Sequence, residues 1–276
     1  MKGNLSNLPI GVFDSGVGGI SVVADLVHQL PEEEYVYFGD SGNAPYGVRS
    51  KEEIKELSFK VVEHLLKLNI KALVVACNTA TSVVIEELRS SLDIPVIGME
   101  PALKPAIELN KPGKIVVMAT PVTLREKKFN DLIEKFKDTN NVVKMPCPGL
   151  VEIIEKEGNQ DREIENYIKA VYSPYNIDEI GAVVLGCTHY VFIRDIIANI
   201  VGNKIAIVDG NYGTARHVKH LLQEEEALAS TSEEDFKETR IKIINSSSDI
   251  NMVSLSKKLL EKRLEDLNWR GNIKYT

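Results

Sequence analysis

The chain has 276 residues, 43% hydrophobic and 26% charged, the make-up of a globular protein that can bury one large core or two smaller ones. Forty acidic against 33 basic residues give a net charge of −7, which offers no general attraction to nucleic acid or anionic lipid, so neither is expected as a partner. No apolar run reaches the length of a membrane span, and residues 1–9 lack the basic start and long apolar region of a signal peptide; a cytoplasmic protein is expected.

In chain order, the first expected element is a buried strand at 10–13, followed by Asp14-Ser15-Gly16-Val17-Gly18-Gly19, which opens a helix. Its glycines let backbone amides approach a ligand, so a small anion site is one reading and a plain tight turn the other. A second strand at 35–38 runs into Gly39-Asp40-Ser41-Gly42-Asn43-Ala44-Pro45-Tyr46-Gly47, too crowded with turn formers to be helical. Between 50 and 68, Ile54, Leu57, Val61, Leu65 and Leu68 repeat at three and four residues, and Ser50 with Glu53 forms a capping box, predicting an amphipathic helix.

The strand at 72–76 ends in Cys77-Asn78-Thr79, and strands at 95–99 and 115–119 follow. Thr120 and Thr123 come next, as helix caps or as hydroxyls for a ligand. After a strand at 142–145, Cys147 stands between two prolines with no counterpart elsewhere and reads as structural. The strand at 182–185 ends in Gly186-Cys187-Thr188-His189; strands at 206–208 and 241–244 complete the set, separated by a polar surface loop at 227–239.

Strands alternating with helices argue for an α/β fold with parallel sheets and ligands at the carboxyl ends of the strands. Cys77 and Cys187 end similar strands 110 residues apart, so the expectation is two pseudo-symmetric, doubly wound lobes, each with a mainly parallel sheet, and a site in the cleft between them. Residues 1–98 and 209–276 would form the first lobe and residues 99–208 the second.

With three cysteines and no CxxC or His-x-x-His spacing, neither a disulfide framework nor a metal site is expected. One cysteine at a strand end reads as a small core residue; two in equivalent places read as a pair. A helix beginning at each would lower the thiol pKa. Taking a proton from one face of a chiral carbon and returning one to the other needs an acid–base group on each side, with sulfurs roughly 6–7 Å apart if each is ~3–3.5 Å from the carbon. Ser15, Ser41, Tyr46, Asn78, Thr79 and Thr188 share the same edge and supply neutral hydrogen-bonding groups for carboxylates and an ammonium.

Taken together, DSGVGG, GDSGNAPYG, ACNTAT, ATPVT and GCTHY resemble, in order and spacing from Pro9 to about His220, the glutamate racemases of the aspartate/glutamate racemase superfamily. The resemblance implies a cofactor-independent racemase in which Cys187 exchanges the proton of L-glutamate and Cys77 that of D-glutamate, supplying D-glutamate for peptidoglycan. It further implies Asp14, His189 and Glu155 as acid–base helpers, and substrate contacts from Asp14, Ser15, Asp40, Ser41, Pro45, Tyr46, Gly47, Asn78, Thr79, Thr120, Thr123, Thr188 and His189. A homodimer is the family's expectation. Val191 and Ser41 depart mildly from the family pattern, while Glu126, Phe129 and Asp209-Gly210-Asn211 depart from it at positions expected to affect lobe packing or regulation rather than chemistry.

An aspartate or other amino-acid racemase of the same two-cysteine group is the nearest alternative. A non-catalytic binding protein that closes two lobes on a small anion is the alternative from another class, disfavoured by the paired cysteines. A pyridoxal-phosphate enzyme would need a Schiff-base lysine, and none of the five motifs contains one.

Overall fold

The computed structural model describes residues 5–135, 141–156, 158–229 and 238–276. The elements run β1 (Ile10–Asp14), α1 (Ile20–Gln29), β2 (Tyr35–Gly39), α2 (Lys51–Leu66), β3 (Ala72–Val75), α3 (Asn78–Ser91), β4 (Val96–Gly98) and α4 (Leu103–Glu108). They continue with β5 (Lys114–Ala119), α5 (Pro121–Arg125), α6 (Lys127–Glu134), β6 (Val142–Pro146), α7 (Leu150–Glu155), α8 (Asp161–Tyr172), β7 (Ile180–Leu185) and α9 (Arg194–Val201). The last are β8 (Ala206–Asp209), α10 (Asn211–Glu224), β9 (Thr239–Asn245), α11 (Asn251–Asp266) and β10 (Ile273–Tyr275).

Each strand expected from sequence is present, and all the pairings are parallel. They form two sheets, ordered β10-β9-β2-β1-β3-β4 and β6-β5-β7-β8, the α/β architecture of two lobes. In the first sheet Ile10, Val12, Tyr35 and Tyr37 pack with α1, α10 and α11, while Phe13, Val36 and Phe38 pack with α2 and α3. Alternate residues of one strand thus feed two cores, which is why β1 up to Asp14 and β2 carry no polar side chain facing either core and are buried along their length. The second sheet repeats this, with Val116 and Met118 toward α7, α8 and α9, and Ile115, Val117 and Ala119 toward α4 and α6.

The capping box forms as expected: the Glu53 N–H donates to Ser50 Oγ at 3.2 Å, and the Ser50 N–H to Glu53 Oε2 at 3.0 Å. The helix stops at Leu66, two residues short of the periodic run, and Asn69 takes a left-handed φ of 54°. Two features differ from the sequence reading. The loop after β2 contains two single turns of 3₁₀ helix, at Ser41–Asn43 and Tyr46–Val48. A tenth strand, β10, adds to the sheet beside β9. The centre of the polar stretch, residues 230–237, lies outside the described residues.

Lobe contacts include apolar packing, with Val122 and Phe192 set against the cores of the first sheet, and specific polar pairs. Lys51 at the start of α2 pairs with Glu126 at 2.8 Å, and Lys128 on α6 pairs with Glu86 on α3 at 3.2 Å. The hydroxyls of Thr79, Thr120 and Thr123 meet within 2.8–3.1 Å of one another, joining the start of α3 to the start of α5.

Candidate active site

The carboxyl ends of β1, β3 and β7 converge on one tight cleft with a cavity volume of only ≈ 20 Å³. Its walls are Ser15, Pro45, Tyr46, Gly47, Cys77, Asn78 and Thr79 from the loops of the first sheet, and Thr120, Val151, Gly186, Cys187, Thr188 and His189 from those of the second. Both sulfurs therefore face one space from different sheets. Wider grooves on the outer side of the lobe junction, lined by Arg89, Glu100, Lys135 and neighbours, contain no cysteine.

The remaining sequence candidates lie behind this wall. Asp40 accepts hydrogen bonds from Tyr46 Oη at 2.6 Å, from Asn43 Nδ2 at 3.0 Å and from Ser246 Oγ at 2.5 Å, which makes it the organiser of the loop after β2. Ser41 Oγ accepts from Asn245 Nδ2 at 2.9 Å. Tyr46 thus offers its ring and backbone to the cleft while its hydroxyl is committed to Asp40. Thr123 holds Thr79 and Thr120 in place, and Thr120 also caps α5 by accepting from the Thr123 N–H at 3.3 Å. Asp14 is fully buried beneath Cys77, with Oδ2 accepting the Gly19 N–H at 2.8 Å and Oδ1 unpaired.

Around the two sulfurs the apparent symmetry breaks. Cys77 caps α3: the Ala80 N–H points at its Sγ at 3.4 Å, and Sγ donates to Ser15 Oγ at 3.4 Å. Helix N-termini acidify thiols, but here burial, reinforced by the Asp14 carboxylate, outweighs them and pushes Cys77 up to about 12. The expected acidification by a helix is therefore overturned at Cys77. At Cys187 no α-helix begins; a six-residue 3₁₀ segment, Thr188–Ile193, separates it from α9.

What Cys187 has instead is a basic partner. His189 Nδ1 lies 3.7 Å from its sulfur, and His189 Nε2 lies 2.7 Å from Glu155 Oε1. Burial pulls the imidazole pKa down, but hydrogen bonds to Cys187 and Glu155 and the Glu155 charge more than offset it, raising it well above the ordinary value. With an acceptor at each nitrogen, the doubly protonated ring can donate to both. Glu155 is itself held below the ordinary carboxylate value: burial opposes this, but His189 and the Val17 N–H prevail.

The glycine-rich loop has a role that sequence reading missed. The Val17 N–H donates to Glu155 Oε1 at 3.0 Å, so the anion this loop holds is a carboxylate from the other lobe. A Cβ on Gly16 would lie 2.4 Å from Glu155 Oε1, and one on Gly18 would lie 2.3 Å from His189 Nδ1. Only glycine allows this approach. Asn78, at the mouth of α3, is buried with both amide atoms unpaired in the protein, a costly state that a ligand carrying a carboxylate and an ammonium relieves. Among the described residues, no group of three or more His, Cys, Asp or Glu could hold a metal ion.

Two thiols, one beside a carboxylate and one beside an imidazole, line one small cleft, an arrangement suited to moving protons at carbon. A family model described as Asp/Glu/hydantoin racemase matches residues 10–218, and the chain belongs to that family of isomerases. The glutamate racemase of Clostridium novyi (strain NT) is 51% identical over 259 residues, 93% of this chain and 98% of that protein. A crystal structure of a glutamate racemase isoform from Bacillus anthracis superposes with a TM-score of 0.81 at 30% identity, covering 98% of each chain. Another, from Francisella tularensis subsp. tularensis in complex with D-glutamate, gives 0.77 at 27% identity, again covering 98% of each.

Proposed function

We propose that this chain interconverts L- and D-glutamate by two-base proton transfer at Cα without a cofactor, Cys187 exchanging the proton of the L-enantiomer and Cys77 that of the D-enantiomer. The observation that carries this reading is the placement of the two sulfurs, from different sheets, on one cleft whose side-chain amide, Asn78, has no protein partner. Glutamate is favoured as substrate by the 51% identity to a glutamate racemase and by the bound D-glutamate of the Francisella protein.

In the L-to-D direction Cys187 takes the Cα proton, with the His189 imidazolium beside it stabilising the thiolate before that step, and Cys77 delivers a proton to the opposite face. The raised pKa of Cys77 suits it to start as the thiol. In the reverse direction the roles exchange, and Asp14 beneath Cys77 assists as proton acceptor. Ser15, Asn78, Thr79, Thr120, Thr188 and the backbone of residues 45–47 hold the substrate; Asp40, Ser41 and Thr123 support that wall. In this reading residues 1–98 with 209–276 and residues 99–208 move as the two lobes, the chain acts as a homodimer in the cytoplasm, and its product serves peptidoglycan synthesis.

The test is circular dichroism of L-glutamate incubated with the protein alone, with L-aspartate in parallel. The glutamate signal is expected to decay to zero. Decay with aspartate only would keep the mechanism and change the substrate, and persistence of both signals would overturn the proposal.

A further inference from the structure

Beneath the glycine-rich loop, the hydroxyl of Tyr37, fully buried on β2, donates to the carbonyl oxygen of Gly16 at 2.6 Å. The N–H of that same peptide unit, at Val17, donates to Glu155 Oε1, and the same oxygen faces His189 Nε2. In a trans peptide the C=O and N–H point in opposite directions, so Tyr37 and Glu155 grip one rigid plane from its two edges. The hydrogen bonds run from the Tyr37 hydroxyl through the 16–17 peptide and converge on Glu155 Oε1, which accepts from the Val17 N–H and from His189 Nε2, while the other nitrogen of that ring faces Cys187. Two glycines leave the space: a Cβ on Gly39 would lie 2.5 Å from the Gly16 oxygen, and one on Gly16 would lie 2.4 Å from Glu155 Oε1.

We propose that Tyr37 is a positioning residue for the Cys187 base, acting across the lobes through the Gly16–Val17 peptide to hold Glu155 and, through it, His189. It touches neither substrate nor sulfur. The inference deepens the two-base reading and rests on it for its kinetic test, but not for its spectroscopic one.

Tyr35 supplies a matched control. It lies on the same strand, equally buried, and its hydroxyl donates to the Leu30 carbonyl at 2.7 Å, away from the site. Replacing either tyrosine by phenylalanine removes one buried hydroxyl–carbonyl bond, so a merely structural role predicts the same outcome for both.

The experiment compares Tyr37→Phe and Tyr35→Phe with the full-length wild type in two readouts. In NMR, the His189 imidazole is expected to titrate about half a unit lower in Tyr37→Phe, because Glu155 is no longer held in place against its Nε2 through the 16–17 peptide, and to stay unmoved in Tyr35→Phe. Placing 3-fluorotyrosine at position 37, which keeps the ring and the donating hydroxyl, is expected to leave it at the wild-type value. In kinetics, slowing only the Cys187 step makes that step more limiting. The isotope effect on kcat/KM with α-deuterated L-glutamate then rises, and that with α-deuterated D-glutamate falls, with kcat lowered about threefold or more.

Equal behaviour of the two phenylalanine variants, or an unmoved His189 titration in Tyr37→Phe, would overturn the proposal. Failure of the wild type to exchange protons with glutamate would instead overturn the functional reading, leaving the titration to decide the role of Tyr37.

Discussion

At Cys187 the structure puts an imidazole within 3.7 Å of the sulfur, and at Cys77 a buried carboxylate and a serine hydroxyl. Replacing either cysteine by alanine leaves one face of the carbon without a proton carrier, and racemisation is expected to fall by about 10²–10⁴-fold or more, measured polarimetrically. A subtler substitution tests the packing of the glycine-rich loop. In Gly18→Ala the new methyl would meet His189 Nδ1 and Thr188 Oγ1, at 2.3 and 2.5 Å, so kcat is expected to drop at least about tenfold while the thermal melt shows a folded protein. The His189–Glu155 pair also sets a pH window. Glu155, held below its ordinary 4.5, contributes stability that is present above 4.5 and lost as pH falls through its folded value. His189, raised above 6.5, contributes stability that is present below 6.5 and lost as pH rises through its folded value. Glu155→Gln should therefore cost about 1–3 kcal/mol in denaturant melts at pH 5–6, and less at the alkaline end once His189 is neutral in the wild type as well.

Individual elements place these groups through ordinary local rules. The capping box that starts α2 lies far from the sulfurs, and Ser50→Ala is expected to lower stability by about 1 kcal/mol in urea melts with unchanged kcat. The threonine triangle is different, because Thr79 and Thr120 belong both to the joint between α3 and α5 and to the cleft wall. Thr120→Val leaves two buried hydroxyls with one partner fewer, and should raise KM for glutamate more than it lowers kcat. Nine of the strands and α2 were legible in the sequence, since Val- and Ile-rich runs between turn formers read as buried strands, and a 3.6-residue repeat with a cap reads as a helix. The strand β10 was not, since Ile273-Lys274-Tyr275 is too short to carry a period and gains its strand geometry only by pairing with β9. Nor was the 3₁₀ segment after Cys187, because Thr188–Ile193 has the apolar content of a helix start and its deviation comes from packing beneath α1, where Ser21 Oγ donates to the Thr188 carbonyl at 3.3 Å.

Across the whole molecule, chemistry depends on contacts between lobes that no local pattern announces. The sequence marked Cys77, Cys187, Asn78, Thr79, Thr188 and His189 by the repeat and the motifs, and these do share one cleft. It marked Asp40 and Ser41 equally, since both lie on a loop at the same sheet edge. The structure turns them away from the cleft to organise that loop with Tyr46, Asn245 and Ser246. The bond from Val17 to Glu155 joins residues 138 positions apart and uses a backbone N–H, so no residue type could have signalled it. Two sulfurs serving opposite faces of one carbon is the claim on which the rest depends. Initial-rate conversion of L-glutamate in D₂O, followed by ¹H NMR at Cα, tests it most directly. Two-base transfer predicts that newly formed D-glutamate carries deuterium at Cα from the first turnover while unreacted L-glutamate keeps its protium. Substrate protium retained at Cα of the product would mean that one group removes and returns the same proton, and would contradict it.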